Sequence, residues 1–146
     1  MADRLAYGLT LFCEDFRIEN TGKHMFIGVY QGGMNVHTAF PFVLHKFVFA
    51  IFYSETAGAF PEDITIRVFL PGDADNAPSL EVPIVRSELP PPPEAEDKIL
   101  RLFIPIVAQP LVLRQVGKIM VRAICGDVTT KLGTLEVVQK LEEPKV

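Results

Sequence analysis

The chain has 146 residues, 49% of them apolar, with 14 basic and 18 acidic side chains and a net charge of −4. The basic residues are scattered singly, so no positive field exists to displace counterions from nucleic-acid phosphates, and binding to nucleic acid is excluded on that ground. No apolar run approaches the roughly 18 residues of a membrane-spanning helix.

The length suits one domain over 1–140 with a frayed tail at 141–146. A chain of this size buries a core without disulfide or metal staples. Its only cysteines, Cys13 and Cys125, both fall inside apolar strand patterns and read as two buried free thiols. The N-terminus carries an early acid, Asp3, and no long apolar stretch of the export type, so a cytoplasmic location is expected.

Period-two alternation opens the chain. Leu5, Tyr7, Leu9, Leu11 and Cys13 share one face, after which the apolar positions switch parity to Phe16 and Ile18. A slip of one residue would turn the apolar set to the wrong face, so a bulge or a passage between sheets is expected near Cys13-Glu14-Asp15. Asn20-Thr21-Gly22-Lys23 is a tight turn, followed by a strand from His24 to about Gln31. Gly32-Gly33 interrupts it, and Met34 to His37 suits a short edge segment. The stretch Val43 to Ser54 contains an unbroken apolar run, Phe47 to Tyr53, which predicts a central strand covered on both faces. Ile64, Ile66, Val68 and Leu70 alternate with Thr65, Arg67 and Phe69 as a half-buried strand. In Leu80 to Val85, Pro83 predicts an edge position because it cannot donate to a ladder. Leu89 to Asp97 contains four consecutive prolines and reads as a stiff polyproline connector, without the basic anchors of an SH3 or WW ligand. Strands then run from Ile99 to Val107, with Leu100, Leu102, Ile104 and Ile106 inward, and from Lys118 to Cys125, with Ile119, Val121 and Ala123 inward. A short Leu111–Leu113 piece lies between them. Val128 to Val138 closes the fold, with a break at Lys131-Leu132-Gly133. The pattern predicts an all-β fold, an antiparallel β-sandwich of eight or nine strands in an immunoglobulin-like or C2-like Greek key, with little or no helix.

The chemistry-bearing residues form no recognisable constellation. Nucleophilic catalysis needs a Ser or Cys beside an oriented His, and burial would quiet Cys13 by raising its thiol pKa. His24, His37 and His45 are spaced thirteen and eight residues apart, without the His-x-His of a small β-barrel metal site. Asp73 and Asp75 have the opening spacing of a calcium loop, but Ala77, Pro78 and Ile84 stand where its later ligands and glycine belong. A polar hairpin loop explains them better. With no Trp and three Tyr, the chain lacks the flat exposed aromatics of a sugar platform. No catalytic, cofactor-binding or metal residue is therefore assigned, and no cofactor is expected.

The stretch Phe12-Cys13-Glu14-Asp15-Phe16-Arg17-Ile18-Glu19, then Gly22-Lys23 and Ile27-Gly28-Val29-Tyr30, resembles the opening of a family of small bacterial proteins, a domain of unknown function. The strand at Gly117-Lys118 and the closing Gly133-Thr134-Leu135-Glu136-Val137 are similar too. The resemblance implies a sandwich and carries over no activity and no functional residue. It makes Glu14-Asp15 the most polar element, with an expected structural role at the bulge. High apolar content and the doubly apolar Phe47–Tyr53 strand lead to the expectation of a non-enzymatic protein acting through protein–protein contact, as a homo-oligomer or with another protein. A small-ligand or lipid binder with an apolar pocket is the alternative. An enzyme with a dispersed His/Asp/Glu site ranks third.

Overall fold

The computed structural model describes residues 4–89 and 98–141. The proline run at 90–93 and the tail beyond Leu141 lie outside the described residues. Twelve strands and one 3-10 turn are present among them, more than the eight or nine expected. The excess arises because two stretches read as single strands each divide in two and because the short pieces at Met34 and Leu111 are strands of their own. The opening run divides into β1 (Ala6–Cys13) and β2 (Asp15–Ile18). The strand after it shortens to β3 (His24–Ile27), and β4 (Gly33–Val36) follows. The next run divides into β5 (Phe42–Leu44) and β6 (Phe47–Thr56). Then come β7 (Ile64–Phe69), β8 (Leu80–Ile84), the 3-10 turn Arg86–Glu88, β9 (Ile99–Ala108), β10 (Leu111–Leu113), β11 (Gly117–Cys125) and β12 (Val128–Gln139).

Two sheets share the main core. One has three strands in the order β1-β6-β9, and the other has five in the order β4-β12-β11-β7-β8. β6 is central, as its doubly apolar run requires, and its residues 47 to 51 are fully buried. β8 is the edge strand that tolerates Pro83. The expectation of a purely antiparallel fold is corrected at one edge: β4 pairs parallel to β12, Gly33 opposite Glu136 and Val36 opposite Gln139. The long passage from β4 through the rest of the fold to β12 leaves the direction of this pairing free, unlike a tight hairpin.

The inward residues alternate as period two demands. Phe47, Phe49, Ile51 and Tyr53 of β6 meet Ile64, Ile66 and Val68 of β7 and Ile119, Val121 and Ala123 of β11 in one cluster. Each such side chain contributes about 1.5–3 kcal/mol when taken out of water. β12 reaches this core at Leu132 and again at Leu135 and Val137, which requires a change of parity. A bulge supplies it at the break expected from the sequence. Between the pairs Met120–Thr134 and Arg122–Lys131, Val121 alone faces Leu132 and Gly133, and Gly133 has φ 125°. Gly133 sits beside Thr10 and Phe12 of β1, and a Cβ on Gly8 would lie 2.1 Å from the Phe52 carbonyl oxygen. β1 thus packs closely where the two sheets meet. Thr10 Oγ1 is buried there with no hydrogen-bond partner among the described residues.

The parity switch after Cys13 is a passage between sheets. β1 pairs with β6 up to Cys13 opposite Val48, whereas β2 pairs with β3 from Asp15 opposite Ile27. The Glu14 N–H donates to Ile27 O at 3.0 Å, and the Tyr30 N–H donates to Phe12 O at 2.8 Å, stitching the junction. The β2–β3 ribbon folds over the outer face of the three-stranded sheet. Phe16 and Phe26 close a second, smaller core over Cys13, Val48 and Ala50, with Phe52 and Phe103 packed against it. The alternating face of β1 is therefore the outer one, and only its Leu11 and Cys13 end is covered.

Candidate functional site

The inner face of β6 ends in polar residues. After Tyr53 the next inward position is Glu55, a fully buried carboxylate. A buried charge demands a partner, and Arg86, on the 3-10 turn after β8, supplies one. Its Nη1 donates to Glu55 Oε1 at 2.5 Å and its Nη2 donates to Oε2 at 3.2 Å, a two-pronged grip that suits the planar guanidinium. The Tyr53 hydroxyl donates to Oε2 at 2.8 Å.

Arg86 holds more than this carboxylate. Its Nε donates to Glu62 O at 2.7 Å, its backbone N–H donates to Asp63 Oδ1 at 2.8 Å, and Nη2 lies 3.5 Å from Cys125 Sγ. The Cys125 thiol donates to Glu62 O at 3.4 Å. Arg4 closes the outer side, 3.3 Å from Glu62 and 4.8 Å over the Phe60 ring. Residues from the chain start, β6, the β6–β7 loop, the turn after β8 and the end of β11 are thereby clasped together.

The electrostatics keep the clasp in its paired form. Burial, reinforced by the bond to Glu55, holds the Tyr53 phenol well above its ordinary range. The bond to Glu55 is the main influence on Arg86 and raises its pKa, so it stays charged. Burial pushes the Cys125 thiol up despite Arg86 nearby, and burial likewise raises Cys13. Neither sulfur is a ready thiolate, which is the form that attacks an electrophile. Both are free and buried.

The other residues weighed from the sequence are dispersed. His24 packs its ring 4.5 Å from that of Phe103, and His37 Nδ1 lies 2.8 Å from Lys140 O. Among the described residues no three His, Cys, Asp or Glu side chains gather as metal ligands. Asp73 Oδ2 accepts from the Leu70 N–H at 2.9 Å and from the Ser79 hydroxyl at 2.6 Å, so it organises its own loop. Asp15 serves the sheet passage as expected. Its Oδ1 accepts from the Phe16 N–H at 2.9 Å and from Lys46 Nζ at 2.6 Å, tying the ribbon to the β5–β6 turn. The Lys46 bond is the main cause holding the Asp15 carboxyl below its usual range.

One surface stands out in its place. On the outer face of β1 and at the residue before it, Tyr7, Leu9 and Leu5 are 44%, 52% and 52% exposed, although they belong to the apolar series that the ribbon covers at Leu11 and Cys13. Side chains two residues apart on a strand stand about 7 Å from one another on the same face, so these form a continuous stripe. Phe52, half-buried on β6, sits opposite Leu9 in the ladder and extends it. Met25 and Ile27 of the ribbon turn a further apolar pair outward. Among the described residues no helix is long and apolar enough to cross a membrane. No family model matches this chain, and no curated protein or solved structure matches it either.

Proposed function

We propose that this protein is a non-catalytic, cytoplasmic binding module that works by self-association through the outer face of its three-stranded sheet. The observation that carries this reading is the half-covered face of β1. The ribbon seals one end with Phe16 and Phe26, while Leu5, Tyr7 and Leu9 continue the same apolar stripe into solvent. A continuous exposed stripe of this kind marks a contact surface more often than an idle one. A second copy presenting the same stripe about a two-fold axis would complete the cover with matching residues. The saturated Glu55–Arg86–Tyr53 network supports a scaffold role for the interior polar groups. Kinship to the small bacterial family is part of the same reading, supported by the strand–turn–strand that its motifs form, with the Gly22 N–H donating to Glu19 O at 2.8 Å. So is the immunoglobulin-like Greek key, supported by the all-β composition of the fold.

Native mass spectrometry of the untagged chain tests it. The expected result is a whole multiple of 16.2 kDa, reduced to the monomer mass by Leu9→Glu with an unchanged circular dichroism spectrum. A wild-type monomer at micromolar concentration, or an L9E variant that still assembles, would overturn the proposal.

A further inference from the structure

The outer face of the five-stranded sheet carries a groove of about 300 Å³ lined by Arg67, Phe69, Asp75, Met120, Arg122, Ile124 and Thr129. Ladder register explains its composition. Arg67 of β7 lies opposite Arg122 of β11, which in turn lies opposite Lys131 of β12, and Glu81 of β8 flanks Arg67. One row across four strands therefore reads acid, base, base, base. Like charges directly opposite one another on neighbouring strands are unfavourable. Glu81 answers only the first of the three, with Arg67 Nε at 3.1 Å from its carboxylate.

Arg122 is left in the middle of the row. Its described hydrogen bond runs from Nη1 to the carbonyl of its own neighbour, Val121, at 2.9 Å. A guanidinium has five N–H donors, so most of this one's capacity is unused by described residues. Its half-buried position depresses its pKa through loss of water, a cost without a compensating carboxylate bond among the described contacts. The apolar wall is equally specific. Phe69 faces outward yet is only 7% exposed, and Asp75 of the β7–β8 loop shares its groove, so that loop folds back over the sheet face. Concavity, an apolar wall and a few convergent polar groups are the composition of a small-molecule site.

We propose that this groove binds an amphiphilic monocarboxylate, its carboxylate taken by Arg122 between Arg67 and Lys131 and its apolar body laid against Phe69 and Met120, which pair side by side next to the Arg67–Arg122 rung. The planar guanidinium matches a carboxylate in a two-pronged geometry. Asp75, a carboxylate lining the groove, disfavours a second negative charge on the ligand and can accept from a hydroxyl or amine. The site is separate from the β1 stripe, which lies on the other sheet, so the two proposals fail independently.

The test follows backbone amide shifts of the full chain on titration with hexanoate, 1-hexanol and inorganic phosphate at matched ionic strength. Saturable shifts with hexanoate, concentrated at Arg67, Phe69, Met120 and Arg122, are expected. Arg122→Met should weaken them by about tenfold or more, since a charge-assisted pair is lost. Lys131→Gln, at an exposed position, should weaken them by a smaller factor and provides the comparison if R122M does not fold. Hexanol binding as tightly as hexanoate would overturn the anionic half of the proposal, and phosphate binding as tightly would overturn the apolar half. Diffuse, non-saturating shifts, or hexanoate binding unchanged in the folded variant, would overturn it entirely.

Discussion

Arg86→Met isolates the energetics of the buried clasp. The substitution keeps much of the aliphatic stem and removes the guanidinium, so Glu55 loses both charge-assisted bonds and, among the described residues, retains only the Tyr53 hydroxyl. Glu55 is fully buried, so little water reaches the oxygens that lose their partner. Removing one partner from a buried ion pair costs about 3–5 kcal/mol. The Arg86 side chain is 21% exposed, which lets some solvent in and places the expectation at the lower end. A loss of about 3 kcal/mol should lower the melting temperature by about 6–12 °C for a chain of this size. Urea denaturation read by circular dichroism measures it. The double variant Glu55→Gln/Arg86→Met provides the control, because an amide removes the stranded charge. It should be more stable than R86M alone, although it contains one more change. A penalty for R86M below about 1 kcal/mol, the value of an exposed pair, would refute the reasoning. So would a double variant less stable than R86M.

Further outcomes follow from the same geometry. Thr10→Val is nearly isosteric and deletes the unpaired buried hydroxyl, so it should raise stability by about 1 kcal/mol in the same urea assay, where a loss would show that Oγ1 has a partner. Asp15 has a depressed folded pKa because Lys46 hydrogen-bonds its ionised form. Its contribution is therefore present above the unfolded value near pH 4 and disappears as pH falls through the lower folded value. Lys46→Met should flatten the acid limb of the stability–pH curve below about pH 4, and an unchanged limb would show that the pair does not contribute. Cys13 and Cys125 are buried with raised thiol pKa values, so a thiol reagent at pH 8 should modify neither in the folded protein and both after denaturation, as counted by mass spectrometry.

Much of the strand inventory is legible along the chain. Ile64, Ile66 and Val68, Ile119 to Cys125 and the inward set of β9 all follow from alternation, because the pleat of a strand assigns faces from its own residues. The parity switch at Cys13-Glu14-Asp15 and the break at Leu132-Gly133 are readable for the same reason, since a local phase change needs a local structural answer. Pro83 marks an edge through its missing donor. Alternation nevertheless says which residues share a face and not which face is covered. The stripe Leu5, Tyr7, Leu9 has the same pattern as a core strand, yet it lies outward, and only the docking of the β2–β3 ribbon distinguishes its buried end from its bare one.

The pairings that make the functional candidates belong to tertiary structure. Glu55 and Arg86 stand 31 residues apart, and Glu55 occupies an ordinary position beyond the apolar run of β6. Its inward orientation was available from the period, since it follows Tyr53 by two, but its partner was not. Arg67 and Arg122 each read as the polar half of a half-buried strand, and only the β7–β11 register places them face to face. The sequence by itself determined the strand class, the faces and the phase breaks, because these arise from steric rules acting over a few residues. Strand order, the parallel β4–β12 edge, the buried ion pair and the cationic row were decided by which distant surfaces met. Those meetings depend on burying the most apolar area across the whole chain at once, a balance no local pattern contains.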